Sequence, residues 1–402
     1  MRKINKYNIN TKFLLDIFIN ISGTALPIIV LQLYILPSIA QIITDNMYGE
    51  IQSILSFIYI ISGTIGNSLS SLRLIKHTDY KDNNIVADFR VISRNSTIWI
   101  LVLMPIAISL YISEISFLDV VLTTIVAALN YLNLYGQVGF RLKLNFKELF
   151  INKLLGVVGY FLGYLLFLKY KLWQLIFIMS FLVQFIHCYC YTEIYKEMIV
   201  RSSNFYNLLK SFFELSISTL FKKSFMYFDK IILLPLLGGK YVSIYFVANI
   251  FGKFMLQALE PITNVILSYL AQEKRVSKII WKKSCYFGII FCLIIYILTI
   301  FFSKPILMLF YPQWTEEALV IIPITTLGLC FSTMVGVLEP LALKAIEMKK
   351  QVYINASVLV IYIICCLILY KIYGLLGCCW ALCISNIIKL SFIYIFGYRN
   401  GE

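Results

Sequence analysis

Charged side chains are scarce in this sequence of 402 residues. Asp, Glu, Lys and Arg make up only 14% of the chain and apolar residues 60%, whereas about a quarter of a typical soluble domain is charged. Acidic residues are less common than basic ones, with 20 Asp and Glu against 35 Lys and Arg. The composition excludes an ordinary soluble domain and indicates that lipid is the main solvent of this chain.

Motifs that carry chemistry are missing as well. The sequence has no Gly-rich phosphate loop, no nucleophile elbow and no paired metal-ligand motif. The predicted exterior loops are short, the longest being about 303–317, which leaves no room for the exterior domain of a membrane polymerase or ligase. We therefore expect no enzymatic activity, no catalytic residues, no bound metal and no cofactor, and an ATP-driven pump is disfavoured.

The apolar residues form long runs and do not alternate with the period of two that a membrane β-barrel requires. A run of about 20 apolar residues crosses the hydrocarbon core as a helix, which satisfies every backbone group internally. The predicted fold class is therefore an all-α polytopic membrane protein with about twelve spans. These spans lie near residues 14–39, 48–72, 96–112, 117–134, 154–168, 172–191, 216–237, 241–270, 284–302, 318–338, 353–372 and 375–396.

Basic residues are concentrated in alternate loops. The link between spans two and three contains five of them, and the loops after spans four, six, eight and ten are also basic. The opposite loops contain few, namely Lys169, Lys171, Lys240, Lys304 and Lys371. Because cytoplasmic loops collect Lys and Arg, both termini are predicted to be cytoplasmic. The net charge of +15 is thus an orientation signal, and no nucleic-acid partner is expected.

A polar stretch at 192–206 divides the predicted spans into two halves. We predict an N-terminal six-helix bundle (1–191), a cytoplasmic linker (192–215) and a C-terminal six-helix bundle (216–402) around a central cavity. Transporters are often built from such repeated halves.

Span eight carries the strongest polar signal inside the membrane. Its polar residues recur at steps of four, four, three and four along one helical face, and they are Asn249, Lys253, Gln257, Glu260 and Asn264. Such a face is unsuited to lipid, so it lines a polar cavity or packs against another helix. In the second interpretation Lys253 and Glu260 form a structural ion pair.

Other ionisable residues fall inside spans seven and one. Asp229 and Lys230 lie deep in span seven, whereas Lys222 and its neighbour Lys223 either face the cavity or extend to the cytoplasmic surface. Asp16 and Asn20 share a face of span one. Surplus cations suit a phosphate or a carboxylate, and amides suit sugar hydroxyls. Together these side chains predict a substrate that combines a glycan with a lipid phosphate.

Three local patterns carry a family resemblance. They are Tyr227-Phe228-Asp229-Lys230-Ile231-Ile232-Leu233 followed by Gly238, Tyr241 and Tyr245; Tyr373-Gly374-Leu375-Leu376-Gly377 followed by Ala381 and Ser385; and Lys304-Pro305-Ile306 with Phe310-Tyr311 and Glu317-Ala318. Over 216–385 the chain resembles the Wzx-type O-antigen and polysaccharide flippases of the multidrug/oligosaccharidyl-lipid/polysaccharide exporter superfamily. The Gly that this family usually places before span ten is absent, and Tyr311-Pro312 stands there.

The resemblance implies a flippase that moves undecaprenyl-diphosphate-linked oligosaccharide repeats across the bacterial inner membrane by alternating access, for O-antigen or capsule assembly. It also implies a polysaccharide polymerase and chain-length proteins as partners. Two alternatives stay open. One is a multidrug or small-solute exporter of the same superfamily, for which Asp16 is the main candidate coupling residue, and the other is a membrane polysaccharide polymerase or ligase.

Overall fold

The computed structural model describes residues 19, 22–76, 86–112, 115–254, 278–346 and 348–400. Within these ranges the chain is almost entirely helical and contains no β-strand. In the same part of the chain, nine helices are long and apolar enough to cross a membrane. The prediction of an all-α, multi-pass membrane protein is confirmed.

Each predicted span overlaps a helix among the described residues, although 255–270 of span eight and most of 14–21 of span one lie outside them. The helices are α1 (Ser22–Ala40), α2 (Asp45–Ile75), α3 (Ala87–Tyr111), α4 (Phe117–Leu142), α5 (Phe146–Tyr170), α6 (Gln174–Tyr191), α7 (Phe205–Leu237), α8 (Gly239–Ala248, resuming at 250–254), α9 (Lys278–Phe310), α10 (Thr315–Ala345), α11 (348–373) and α12 (375–400). The last two are halves of Met348–Asn400, which is broken at Gly374.

Several helices extend beyond the apolar runs that predicted them. Helix α7 begins at Phe205, inside the segment predicted to be a linker, and α5 begins at Phe146, well before the predicted residue 154. The first turns of α7 are amphipathic, because Phe205, Leu208 and Phe212 are buried while Asn207 and Lys210 between them are exposed. The mean hydropathy of such a segment is lower than that of a membrane span. The start of α7 was therefore predicted too far along the chain, near residue 216.

Helix α1 changes its pitch before Pro37. Residues Leu31–Ile35 form a π-helical turn, and the helix continues as Leu36–Ala40. Proline has no N–H to donate and its ring clashes with the carbonyl four residues earlier, so a widened turn at this position relieves both problems.

The chain divides into two compact units. Unit 1 comprises the described residues of Met1–Leu36 and Ile54–Lys223, and unit 2 those of Pro37–Ser53 and Ser224–Glu402. The division differs from the predicted bundles in two places. Residues 37–53, which include the end of α1 and the first turns of α2, belong to unit 2, and the segment 192–223, which includes the predicted linker, belongs to unit 1.

Amide side chains join three helices of unit 1. The Asn133 side chain on α4 donates to Gln184 on α6, and the Asn152 amide on α5 donates to the Gln184 carbonyl at 2.9 Å. Small residues let α5 approach α6 closely, since a Cβ on Gly159 would lie 2.5 Å from the Cα of Ser180. In lipid the burial of apolar surface does not drive helices to associate, so hydrogen bonds and close packing of this kind stabilise a helix bundle.

Unit 2 is built around α10, which packs against α8, α9, α11 and α12. A buried cluster at one end of the unit is centred on Trp281, and it also contains Val335, Leu338, Leu341, Ala342, Ile346 and Ile393. Trp281 lies on α9 and Ile393 on α12, and the others lie on α10 except Ile346, which follows its end. The cluster therefore fixes α9, α10 and α12 against one another.

The hairpin between α11 and α12 depends on Gly374. Its backbone has φ 58° and ψ −131°, a conformation that only glycine adopts without strain. Replacing Gly374 with Ala is expected to destabilise the protein by about 1 to 3 kcal/mol. A lower thermal melting temperature of the purified protein would show this.

The matched control is Gly336→Ala, in the interior of α10. An added Cβ there meets no atom within 4 Å, and alanine is the better helix former. Equal melting temperatures for the two variants would contradict the assignment of a strained turn to Gly374.

Candidate functional site

Two ionisable side chains are buried in the middle of unit 2. Asp229 and Lys230 lie on α7, and their side chains are only 5% and 4% exposed. Burial of charge inside a membrane-spanning segment is costly, so such residues usually have a functional role. The sequence picked out both residues for this reason, and the structure places them away from the surface.

Gly238 brings α8 back against this part of α7. It has φ 89° and ψ 170°, which ends α7 and allows α8 to begin at the next residue. A β-carbon disfavours this conformation, so glycine suits the turn. The short link keeps the polar faces of the two helices in one region.

The polar face of α8 survives a local distortion of the helix. Asn249 ends the regular segment Gly239–Ala248, and its N–H donates to the carbonyls of both Tyr245 and Phe246 at 3.2 Å. The backbone ladder then resumes, because the N–H of Lys253 donates to the Asn249 carbonyl at 3.0 Å. Tyr245, Asn249 and Lys253 therefore lie on consecutive turns of one face.

Lys253 meets the carboxylate of α7. Its Nζ lies 3.8 Å from Oδ2 of Asp229, and Oδ1 of Asp229 accepts the backbone N–H of Lys230 at 2.9 Å. Glu260, which the sequence predicted as a possible ion-pair partner of Lys253, lies outside the described residues. The structure thus gives Lys253 a partner on another helix, at a separation longer than a hydrogen bond.

Lys230 is held by different contacts. Its ammonium lies 4.8 Å from the centre of the Phe246 ring, a cation–π arrangement, and its carbonyl accepts a hydrogen bond of 3.0 Å from Ser53 Oγ. The Lys253 ammonium is close enough to interact with it electrostatically. Both Lys230 and Lys253 therefore lie close to the Asp229 carboxylate.

Three further residues of this site were not among the predicted site residues. The hydroxyls of Tyr245 and Tyr362 are near the Asp229 carboxylate, and the Lys389 ammonium lies 4.8 Å from the ring of Phe225, one turn before Asp229. Lys389 stands inside predicted span twelve, so the rule that singles out charges within spans would have found it. Tyr362 is surrounded by apolar residues in the sequence and gave no signal.

Several polar atoms at this site are buried and have no hydrogen-bond partner among the described residues. They are the hydroxyl oxygens of Tyr245 and Tyr362, Oδ1 of Asn249 and Nζ of Lys253. An unsatisfied buried donor or acceptor costs about 1 to 3 kcal/mol. Such atoms are therefore suited to binding a polar group from outside the protein.

The first turns of α2 and α8 anchor this region. The N–H of Lys240 donates to Oδ1 of Asn46 at 2.9 Å, and Ser243 Oγ donates to the Asp45 carbonyl at 2.7 Å. Tyr48 packs its ring 4.9 Å from that of Trp314 and 5.9 Å from that of Phe246, the ring that Lys230 faces. The position of α8 is thus fixed by contacts from two other segments of unit 2.

The remaining predicted site residues are placed as follows. Lys222 belongs to unit 1 and its side chain is exposed. Five others lie outside the described residues, namely Asp16, Asn20, Gln257, Glu260 and Asn264. Of the predicted set, the structure brings together Asp229, Lys230, Asn249 and Lys253.

The chemistry of the site favours an anion. Two lysines, Lys230 and Lys253, lie beside one carboxylate, Asp229, and Lys389 contacts the Phe225 ring one turn earlier on α7. An ammonium in a medium of low dielectric attracts phosphate strongly. In the described part of the chain, no group of three or more His, Cys, Asp or Glu residues is arranged to hold a metal ion.

Comparison with known proteins gives likenesses of structure only. No family model matches the chain, and no curated protein matches it by sequence. The lipid II flippase MurJ in an inward closed conformation is similar with a TM-score of 0.73 and 15% identity, over 96% of this chain and 87% of MurJ.

Two exporters are similar to a lesser degree. The Vibrio cholerae MATE transporter VcmN in its bent form has a TM-score of 0.66 and 14% identity, over 98% of this chain and 97% of VcmN. An outward-facing multidrug resistance MATE family transporter of the MOP superfamily has a TM-score of 0.65 and 16% identity, over 96% of this chain and 94% of that one. The chain therefore has the fold that these flippases and exporters share.

Proposed function

We propose that this protein is a flippase for undecaprenyl-diphosphate-linked oligosaccharide repeat units, used in O-antigen or capsule assembly. The observation that carries the proposal is the pair of lysines, Lys230 and Lys253, beside the buried Asp229 carboxylate in a chain with the fold of a lipid II flippase. A diphosphate supplies negative charge to lysines that share one carboxylate. The sugars of the repeat unit supply hydroxyls for Asn249 and the tyrosines.

Transport by alternating access requires the lysines to become reachable in turn from each side of the membrane. In this structure Asp229 and Lys230 are buried, so the substrate meets them only after a conformational change. Arrival of the diphosphate would draw the Lys253 ammonium away from Asp229, which it approaches only to 3.8 Å. Residues Asp16, Asn20, Gln257, Glu260, Asn264 and Lys222 complete the proposed substrate path.

The proposal places the protein in the bacterial inner membrane, with both termini in the cytoplasm and twelve spans. Its partners would be the lipid-linked repeat unit, the bilayer, and the polysaccharide polymerase and chain-length proteins that use the flipped product. The bundles 1–191 and 216–402 would act as the two moving parts, joined by 192–215.

Deletion of the gene is expected to leave lipid-linked repeat units in the inner leaflet and to remove glycan from the cell surface. Extraction of the lipid-linked intermediate, with its leaflet measured by a membrane-impermeant glycan probe, tests this expectation. Purified protein reconstituted in liposomes should move the intermediate without changing its mass. Lengthening of the glycan by the purified protein would instead support the hypothesis that it is a polysaccharide polymerase.

Topology is a separate prediction. Cysteines introduced at exposed Lys143 and exposed Lys171, in a variant without the native cysteines, should react from opposite sides of the membrane. We expect Lys143 to be cytoplasmic and Lys171 exterior, because basic residues concentrate on the cytoplasmic side. A reporter fused to the C-terminus should be active only in the cytoplasm, and an exterior C-terminus would overturn the twelve-span orientation.

A second candidate function is export of drugs or small solutes, and the similarity to MATE transporters favours it. An exporter of cationic drugs needs a carboxylate that is free to bind them, whereas Asp229 already faces Lys253 and the Lys230 N–H. Drug-susceptibility assays in a strain lacking its own exporters distinguish the two functions. Resistance that depends on Asp229, with normal surface glycan, would establish the exporter.

A further inference from the structure

We propose that unit 1 carries a separate binding site for the phosphate of an anionic membrane lipid, between α3, α4 and α6. A cavity of about 270 Å³ lies between these helices and the segment that follows α6. Its lining includes Arg90, Arg94, Thr97, Phe185, Tyr189 and Tyr195. The wall is apolar and aromatic apart from Thr97 and the two arginines, which stand one helical turn apart on α3.

Neither arginine forms an ion pair or a hydrogen bond with a carboxylate among the described residues, although Arg90 interacts electrostatically with Glu197. The Arg90 guanidinium lies 5.4 Å from the centre of the Tyr195 ring, and its Nε is buried without a hydrogen-bond partner in that part of the chain. Arg94 is exposed and forms no hydrogen bond or ion pair there. Lys196, with its ammonium 5.8 Å from the Tyr189 ring, adds a third cation beside the cavity.

The nearest described acids have other partners. The Asp88 carboxylate accepts the backbone N–H of Ser202 at 2.7 Å and the Ser202 hydroxyl, and Glu197 is paired with Arg73. Burial also raises the pKa of Glu197 above its ordinary value, although hydrogen bonding and charge from Arg73 and the charge of Arg90 oppose the shift. Because Glu197 is directly paired with Arg73 and not with Arg90, the guanidinium groups of Arg90 and Arg94 can still bind an outside anion.

The cavity lies where a membrane span ends. Helix α3 begins at Ala87 and α6 ends at Tyr191, so both arginines stand within the first two turns of the span. The next turn of α3 presents Ile98 and Trp99, which are 54% and 59% exposed, to the surroundings. A lipid bound here would place its phosphate on the arginines and its acyl chains along this apolar face. Basic pockets between spanning helices are a known type of site for anionic head groups.

The experiment measures lipid binding to the purified full chain in detergent, by native mass spectrometry and thermal shift. The probes are dioleoyl phosphatidylglycerol, dioleoyl phosphatidylcholine and inorganic phosphate. We expect phosphatidylglycerol to bind and stabilise the protein, with little response to the other two. In Arg90→Gln/Arg94→Gln the affinity for phosphatidylglycerol should drop about thirtyfold, since each basic residue near an anionic surface contributes about 1 kcal/mol.

The matched control is Lys282→Gln/Lys283→Gln, which removes two exposed charges from unit 2 and should leave lipid binding unchanged. If the double arginine variant folds poorly, Arg94→Gln alone replaces it, because that side chain is exposed. Equal binding of phosphatidylglycerol by the arginine and lysine variants would overturn the proposal. A response to inorganic phosphate as strong as that to the lipid would also overturn it, in favour of a soluble anion.

Discussion

Replacing Lys253 with Ala is expected to abolish surface glycan while the amount of protein in the membrane stays near normal. The lost charge would otherwise hold the diphosphate, and a hydrogen bond to a charged group contributes about 1.5 to 3 kcal/mol, which corresponds to a loss of about 10- to 150-fold in affinity. Asp229 keeps its hydrogen bond from the Lys230 N–H in this variant, so the fold tolerates the change. Lys253→Arg should retain part of the activity, because it preserves the charge and alters only the donor geometry.

A purely structural pair between Lys253 and Asp229 predicts a different outcome. Removing one member would leave a buried charge unpaired, at about 3 to 5 kcal/mol, and the protein level would drop. Neutralising both members in Lys253→Ala/Asp229→Asn would then restore level and transport together. If Lys253 binds substrate, this double variant stays inactive although it folds.

The control for both variants is Lys240→Ala. Lys240 is another lysine of α8, but it is exposed and its ammonium pairs with Glu317 at 2.7 Å. Its removal should leave surface glycan and protein level unchanged. The measurements are surface-glycan staining, immunoblotting of membranes and flipping in liposomes. Normal flipping by Lys253→Ala/Asp229→Asn would rule out substrate binding by Lys253.

The second large effect is expected at Gly49. A Cβ added at this position of α2 would lie 1.9 Å from the carbonyl oxygen of Gly239 on α8. The clash is with backbone, which cannot rotate away as a flexible side chain would. Gly49→Ala is therefore expected to cost about 3 kcal/mol or more and to reduce the yield of folded protein sharply.

Gly63→Ala, farther along the same helix, is the matched control. A Cβ there would meet the side chain of Lys223 at 3.8 Å, an ordinary contact. Yield of monodisperse protein and melting temperature should be close to those of the native protein. A Gly49→Ala variant that folded equally well would contradict the close approach of α2 and α8.

The helical part of the fold was predictable because hydropathy is a local property. A run of apolar residues must be helical in lipid wherever it lies in the bundle, and within the described residues each predicted span overlaps a helix. The boundaries were less predictable. The first turns of α7 are amphipathic and those of α3 contain Arg90 and Arg94, so their mean hydropathy does not resemble that of a span.

The site was predictable only as a set of single residues. Asp229, Lys230 and Lys253 attracted attention because charge is costly in lipid. Their mutual arrangement was not predictable. The spacing along span eight predicted Glu260 as a partner of Lys253. In the structure the carboxylate that lies near Lys253 is Asp229, on another helix.

The sequence by itself determined that the chain lies in a membrane, that its fold is all-α, and which charged residues fall inside its spans. Each of these follows from local composition. Tertiary structure alone decided that Lys253 faces Asp229, that Tyr362 joins them, and that the first turn of α2 crosses α8 at Gly49. The physical reason is that lipid is nearly as apolar as the helix surfaces, so hydropathy does not select which helices become neighbours. That choice rests on close backbone approach and on polar contacts between residues far apart in the chain.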